Sequence, residues 1–161
     1  MVVTDMGSNS VDQRLVEVVA HTLPDGRVVR EALWVHDAPG GRFGLVKTPL
    51  VAQGMAVGDE IEVDPLDKTF RVVRRGGNLT IQLFMKPELS RDVFEQLAVG
   101  VRELGGGLDA HTASIAGFWV PVDAGFPAVE RVFLDFVEGR SDTEWMFANV
   151  YADDGAPLNW W

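Results

Sequence analysis

The chain has 161 residues, no cysteine and a formal net charge of −10 at pH 7. The lack of cysteine excludes disulfides, thiolate nucleophiles and cysteine-ligated zinc sites, and the negative charge argues against a nucleic-acid partner. Hydrophobic residues make up 47% of the sequence, which is enough for a core, and no run approaches the roughly 18 apolar residues of a membrane span. We therefore expect a cytoplasmic protein that binds neither membrane nor nucleic acid and has no signal peptide.

The negative charge is concentrated in the second half of the chain. Residues 1–85 hold 9 basic and 11 acidic side chains, a balance of −2, whereas residues 86–161 hold 5 and 13, a balance of −8. Such a field favours association with a basic protein. A surface that only keeps the protein soluble has the same composition, so the charge pattern leaves both interpretations open.

The first half is predicted to consist of β-strands. Residues 1–12 are polar and are expected to form a disordered tail. The turn signal LPDG then separates two alternating runs, which predicts a hairpin of about 13–22 with 27–36. Further Gly, Pro and Asn turns define four more short strands, of which the last is TIQLFM. Strands at this spacing are typical of a small β-barrel or a bent antiparallel sheet, which we assign to residues 13–78.

The second half mixes helices and strands. Ser90 is a suitable N-cap, and apolar residues recur at helical spacing after it and again in FPAVERVFLDFVEG. Strands are predicted near 107–113, 115–122 and 143–151. With TIQLFM counted first, the order is βαββαβ, which is typical of a ferredoxin-like fold and is assigned to residues 79–161. The predicted fold class is therefore α+β, with TIQLFM shared by the two halves.

The acidic run Asp59 to Asp64 is the most visible candidate site. Glu60, Glu62 and Asp64 alternate along a predicted strand, so their side chains share one face and lie about 6–7 Å apart without converging. A metal site needs ligands that converge from several directions. We therefore expect a solvated strand face and no metal. Asp59 differs because it follows Gly58 at a turn, where its carboxylate can accept hydrogen bonds from nearby backbone N–H groups.

The three histidines give no catalytic pattern. The hairpin register places His21 near the turn and His36 at the far end, so these two cannot be cross-strand neighbours. A triad with His111 would need long-range convergence that the sequence does not indicate. We expect histidines that serve packing or the surface.

The aromatic residues near the C-terminus are the candidate partner-binding group. Trp145, Phe147 and Tyr151 share one face of the last predicted strand, which is either an exposed platform or the contact between the two halves. The terminal indoles either fold back into a groove or remain exposed for a partner. The predicted partner-binding residues are Trp145, Phe147, Tyr151, Trp160, Trp161, Asp153 and Asp154.

Several short segments resemble a bacterial family catalogued as domain of unknown function 4265, in an order that covers about Val16 to Tyr151. The matching segments are Glu31-Ala32-Leu33-Trp34-Val35, Lys47-Thr48-Pro49-Leu50, Gly54 to Ile61, Gly77-Asn78-Leu79-Thr80, Leu104-Gly105 and Val120-Pro121. Polar residues of the family are replaced here by Lys47, Asn78 and Leu79, so any chemistry they perform in relatives is not expected. The resemblance implies a fold and carries no activity.

Two functions follow as expectations. The first is a non-enzymatic acidic protein that binds a basic partner, by analogy an immunity or antitoxin-like factor that neutralises a bacterial toxin. The alternative is an enzyme or small-ligand module with a cleft between the two halves, lined by Trp34, Asp59, Asn78 and Thr80. RNA binding by the ferredoxin-like sheet is disfavoured by the −8 balance. No cofactor is expected, and the oligomeric state is open.

Overall fold

The structure is a computed structural model that describes residues 12–86 and 89–161. The predicted tail, residues 1–12, lies outside the described residues except for Asp12. The strands are β1 (Gln13–Thr22), β2 (Val28–Ala38), β3 (Arg42–Leu45), β4 (Glu60–Val63), β5 (Phe70–Arg74), β6 (Asn78–Met85), β7 (Gly107–His111), β8 (Ile115–Pro121) and β9 (Thr143–Phe147), and the α-helices are α1 (Arg91–Glu103) and α2 (Phe126–Val137). The protein is α+β, as the sequence predicts.

The first five strands form an antiparallel sheet in chain order, β1-β2-β3-β4-β5. The predicted hairpin is confirmed, and its turn is closed by a hydrogen bond from Leu23 N to Arg27 O and by Asp25, whose carboxylate accepts from Arg27 N. In the register of β1 and β2, His36 lies opposite Gln13 and His21 opposite Val29. The prediction that the two histidines are not cross-strand neighbours is therefore confirmed.

This sheet is bent but does not close into a barrel. Strands β1 and β5 are its two ends and do not pair with each other. One backbone hydrogen bond, from Val19 N in β1 to Lys68 O in the turn before β5, brings the two ends together at 2.9 Å. Of the two alternatives predicted for residues 13–78, the closed barrel is wrong and the bent antiparallel sheet is correct, because only a single bond bridges the edges.

The second sheet is antiparallel with the strand order β7-β8-β6-β9. Within the described residues, β6 pairs as a strand with β8 and β9, so TIQLFM belongs to the second sheet and contacts the first half through other bonds, such as that from Asn78 Nδ2 to Val57 O. The predicted last strand is also shorter, because β9 ends at Phe147 and the next three residues are buried without regular structure. Helix α1 begins after Ser90, whose side chain accepts from Val93 N, as predicted.

Both faces of β6 are buried. Alternate residues from Leu79 to Met85 pack with the inner faces of the two helices, where Val101 and Phe133 are fully buried. The residues between them face the first half, because Thr80 Oγ1 donates to Met55 O at 2.9 Å. The second sheet is thus covered by helices on one side and by the first half on the other. In the part of the chain that the structure describes, neither helix is long and apolar enough to cross a membrane.

Candidate functional site

Residues 46–59, which we call the connector, run between the two sheets without regular secondary structure. The carboxylate of Glu31, on β2, accepts hydrogen bonds from three successive N–H groups, those of Leu50 (2.7 Å), Val51 (3.0 Å) and Ala52 (2.7 Å). None of these donors has a backbone acceptor among the described residues, and a buried N–H group without an acceptor is destabilising. Glu31 therefore fixes the connector to the first sheet.

A second carboxylate fixes the connector to the second sheet. Asp109, on β7, accepts from both the N–H and the hydroxyl of Thr48 at 2.7 Å. The contact is close, since a Cβ added to Gly117 on β8 would lie 3.2 Å from Pro49 O. Further along, Gly54 N donates to Ala148 O at 2.7 Å. The connector is thus bonded to both sheets through charged or backbone acceptors.

Asp59 ends the connector and is 1% exposed. Its carboxylate accepts from Ala56 N at 2.9 Å and Gly76 N at 2.8 Å, and it lies 3.4 Å from the Arg75 guanidinium. Burial raises the pKa of Asp59 above its ordinary value, against these hydrogen bonds and the Arg75 charge, which lower it. The prediction that Asp59 accepts from nearby backbone N–H groups is confirmed.

Two glycines make this arrangement possible. Gly58 has a φ of 89°, which is a conformation that residues with a Cβ avoid. A Cβ on Gly76 would lie 2.5 Å from Gly58 O, so any larger residue would push the two backbones apart. The glycines allow the chain at Gly76 to approach closely enough for its N–H to reach Asp59.

Three of the four predicted cleft residues lie together at the connector. Asn78 Nδ2 donates to Val57 O at 2.8 Å, and Thr80 Oγ1 donates to Met55 O. Asp59 binds the same short stretch. These polar groups are engaged by backbone atoms, so their observed role is to attach the connector to β6.

The fourth predicted cleft residue, Trp34, lies elsewhere. It is 41% exposed on β2, directly opposite Leu15, which is 52% exposed. The Lys47 ammonium lies 5.9 Å from the centroid of the indole ring. The structure therefore does not bring Trp34 together with Asp59, Asn78 and Thr80.

Asn149 completes the junction between β6 and the C-terminal segment. Its side-chain oxygen accepts from Thr80 N and its amide donates to Asn78 O, both at 2.9 Å. Its own carbonyl accepts from Trp160 Nε1 at 2.8 Å. The side-chain oxygen and amide of Asn149 thus both bind the backbone of β6, and its carbonyl holds Trp160.

The acidic run on β4 is paired with arginines of neighbouring strands. Glu60 bonds Arg74 at 3.0 Å, and Glu62 bonds Arg71 at 2.6 Å and Arg42 at 3.4 Å. The hydrogen bond from Arg71 lowers the pKa of Glu62. Asp64 instead accepts from backbone N–H groups of the following turn. Within residues 12–86 and 89–161, no group of three or more His, Asp or Glu is arranged to hold a metal ion.

The aromatic face of β9 points toward the helices. The ring of Trp145 stacks on Phe133 of α2 at 5.4 Å, and Phe147 meets Phe126 edge to face at 5.3 Å. Both side chains are half-buried. This face is therefore covered by α2 and is neither the exposed platform nor the contact between the halves that the sequence suggested.

The remaining predicted partner-binding residues lie on the C-terminal segment, residues 151–161. Tyr151 is 55% exposed and Trp161 is 46% exposed, and Asp153 and Asp154 are exposed in a turn. Trp160 folds back under the Arg75 guanidinium, 5.5 Å from its ring centroid. The segment thus combines one inserted indole with an exposed rim.

An open groove of about 700 Å³ lies between the two end strands of the first sheet and the C-terminal segment. Its lining comprises Val19, Ala20, His21, Val51, Gln53, Gly54, Thr69, Phe70, Val72, Arg75, Tyr151, Ala152, Asp153 and Leu158. It contains one of the three histidines; of the others, His36 packs against Gly44 and His111 lies 5.1 Å from Phe94. The histidines are thus dispersed, as expected.

Ion pairing differs between the halves. Residues 12–86 contain seven salt bridges, whereas the described residues from 89 onward contain one, between Arg102 and Glu95. The exposed acidic residues in that second part are Asp92, Glu95, Glu103, Asp123, Glu130, Asp135, Glu138, Asp142, Glu144, Asp153 and Asp154. All but Glu95 lack a salt-bridge partner among the described residues. The second half therefore presents acidic charge that the protein itself does not neutralise.

The sequence interpretation missed Glu31 and Asp109. Glu31 carried a detectable signal, because it occupies an inward-facing position in alternation with the buried Leu33 and Val35. A charge at such a position requires an internal partner. Asp109 had no comparable signal, since its partner Thr48 lies 61 residues away.

These features define an α+β protein in which two antiparallel sheets are joined through an internal connector and the second half carries unneutralised acidic charge. Residues 31–147 match the family described as "Domain of unknown function (DUF4265)", and the chain belongs to this family. The resemblance seen in the sequence is thereby confirmed.

One solved structure, described as "Novel crystal structure of a hypothetical protein from Neisseria gonorrhoeae", is similar to this chain. It is 16% identical, with a TM-score of 0.64, over 84% of this chain and 94% of that chain. At this identity the likeness shows the fold alone. A comparison with curated proteins gives no match.

Proposed function

We propose that the protein is a non-enzymatic binding factor that recognises a basic protein, as an immunity or antitoxin-like protein would. The observation that carries the proposal is the contrast in ion pairing: acids of the first half mostly have arginine partners, whereas ten exposed acids of the second half have none among the described residues. Unpaired charge of one sign accelerates encounter with an oppositely charged partner. A cytoplasmic location belongs to the same proposal.

The predicted contact residues divide into two groups under this proposal. Tyr151, Asp153, Asp154 and Trp161 are exposed and available to a partner. Trp145 and Phe147 pack on α2, where Phe126 contacts both Phe147 and Trp161, and Trp160 anchors the C-terminal segment through its bond to Asn149 O. A rim of exposed aromatic and acidic residues suits the contact with a basic surface.

We do not propose a ligand cleft at Trp34, Asp59, Asn78 and Thr80. Asp59, Asn78 and Thr80 direct their polar groups to the backbone of the connector, and Trp34 lies on a different surface. No observation at these residues favours a small molecule over the structural role.

The proposal is tested by comparing two variants of equal charge change. The first neutralises unpaired acids of the second half (Asp135→Asn, Glu138→Gln, Asp142→Asn, Glu144→Gln). The control neutralises four arginine-paired acids of the first half (Glu17→Gln, Asp25→Asn, Asp37→Asn, Glu60→Gln). Basic proteins of the native host are captured on each protein, purified, and assayed for direct binding and for toxicity that co-expression of this protein relieves.

We expect the wild type and the control to bind one basic protein and to relieve its toxicity, and the first variant to lose most of the affinity. Binding should weaken strongly between about 0.1 M and about 1 M salt, because the Debye length falls from about 10 Å to 3 Å. Equal binding by the two variants, or the absence of any directly binding basic protein, would contradict the proposal.

We further propose that the second half is ferredoxin-like. The element order βαββαβ, the antiparallel strand order β7-β8-β6-β9 and the placement of both helices on one face of the sheet support this assignment. An experimental structure in which the crossover connections of this half are not right-handed would contradict the ferredoxin-like assignment.

A further inference from the structure

We propose that the groove between β1, β5 and the C-terminal segment takes an extended segment of the basic partner, which adds as a strand to the free edge of β5. This inference rests on the proposed function and identifies the element through which the partner docks. The segment would place apolar side chains in the groove and a Lys or Arg opposite Asp153.

The backbone of β5 has one unpaired edge. The strand is last in its sheet and bonds only to β4. Among the backbone hydrogen bonds of the described residues, none joins Phe70–Arg74 to any segment other than β4. Such an edge is a template for an added strand, since main-chain groups supply the affinity and side-chain pockets supply the specificity.

The opposite wall of the groove is less able to accept a strand. On β1, Val19 N already donates to Lys68 O. The pairing of β1 with β2 also shifts between Val19 and His21, and an irregularity of this kind twists an edge away from further pairing. The partner segment should therefore pair with β5 and lie against β1 through side chains.

Part of the groove's lining is apolar. Val51 of the connector, Phe70 and Val72 of β5, and Leu158 of the C-terminal segment contribute to it. Because successive side chains of a strand point in opposite directions, a segment that alternates apolar and cationic residues would direct every second side chain into the groove. Its cationic residues would then lie at the rim.

Two side chains of opposite formal charge, Arg75 and Asp153, line the groove. Arg75 lies within salt-bridge distance of Asp59 and donates to Gly54 O at 2.7 Å, so its charge is already offset. Asp153 has no salt-bridge partner among the residues described, and Asp154 is exposed beside it. An approaching Lys or Arg is therefore attracted to the rim at Asp153.

The test uses a capped hexapeptide of alternating Lys and Val, a version with Pro at the third position, and a version with Glu in place of Lys. Hydrogen exchange of the backbone amides of β5 is measured with each peptide. We expect the Lys-Val peptide to slow exchange within Phe70–Arg74. The Pro version cannot complete the main-chain pairing and the Glu version is repelled, so neither should protect these amides.

The affinity of the Lys-Val peptide is then compared for two charge reversals. Asp153→Lys should lower it by up to about fivefold, the upper end of the scale of one exposed ion pair, whereas Glu130→Lys on α2 should change it less. Binding that protects only α2 and β9, or binding that Pro does not reduce, would overturn the strand-addition proposal while the charge-based function stands. Loss of partner binding in the four-acid variant is assessed separately, so the two failures are distinguishable.

Discussion

Asp59 shows how a buried carboxylate can be structural and still be costly to ionise. One of its backbone donors, Ala56, lies within the connector and the other, Gly76, follows β5, so one side chain joins the connector to the chain after β5. The sequence predicted this turn-forming role from the pair Gly58-Asp59. It did not predict the bond to Gly76, because nothing local indicates that a chain 17 residues away returns to this point.

Replacing Asp59 by Ala should lower the free energy of unfolding by about 2–4 kcal/mol, because two buried N–H groups and the Arg75 guanidinium lose their acceptor. Denaturant unfolding measures the change. The control is Glu60→Gln on the adjacent position, whose partly exposed ion pair with Arg74 is worth about 0–1 kcal/mol. Equal effects of the two substitutions would contradict the structural role.

Asp59 should contribute to the pH dependence of the free energy of unfolding. Its pKa is raised in the folded state above the ordinary value of 3.8. At pH values between 3.8 and the folded-state pKa, the folded protein therefore binds more protons than the unfolded chain. The free energy of unfolding contributed by this group therefore falls as pH rises through that window. Subtracting the pH profile of Asp59→Ala from that of the wild type should leave a difference that decreases above pH 3.8; a rising difference would refute the assignment.

At the scale of elements, the connector explains why two sheets with separate hydrogen-bond networks stay together. Glu31 reaches it from β2 and Asp109 reaches it from β7. Strand and helix positions were predictable because they follow local periodicity and turn residues. The connector was not, since its shape comes from carboxylates that are distant in the sequence.

Glu31→Gln should destabilise the protein by about 1–3 kcal/mol, because an amide offers one acceptor oxygen where the carboxylate offers two to Leu50, Val51 and Ala52. Faster hydrogen exchange at these three amides is the specific measurement. Glu17→Gln on β1, whose exposed partner is Arg30, serves as the matched control and should leave them unchanged. Unaltered exchange in Glu31→Gln would show that the connector does not depend on this carboxylate.

The length of β9 illustrates a further limit of sequence periodicity. The alternation from Trp145 to Tyr151 predicts one continuous strand, yet β9 ends at Phe147 and Asn149 turns its side chain to β6. Ala148 N still donates to Thr80 O, so the chain stays close to the sheet after regular pairing ends. The side-chain bonds of Asn149 replace the ladder that the pattern predicted.

At the scale of the whole molecule, the two halves should unfold as one unit. Thr80, Asn78 and Asp109 of the second half all bond to the connector, which also supplies Ala52 and Met55 to the core of the first sheet. Loss of either sheet therefore removes bonds from the other. We expect far-UV circular dichroism and tryptophan fluorescence to give the same denaturation midpoint; two separate midpoints would show independent halves.

The acidic balance of the second half was readable from composition, whereas its lack of internal pairing was not. The sequence contains arginines and acids in both halves, and only the fold shows that those of the first sheet pair across β4 and β5. On the helices, the one ion pair among the described residues joins Arg102 to Glu95. The function proposed from charge depends on this difference in pairing and not on the net charge alone.

The attachment of the connector also constrains how such a chain can change by recombination. A chimaera that took residues up to 78 from one relative and the remainder from another would need a carboxylate at 109 that meets the hydroxyl at 48. Parents mismatched at these two positions would lose this bond. We therefore expect recombination between relatives to keep the two sheets together, although their hydrogen-bond networks are separate.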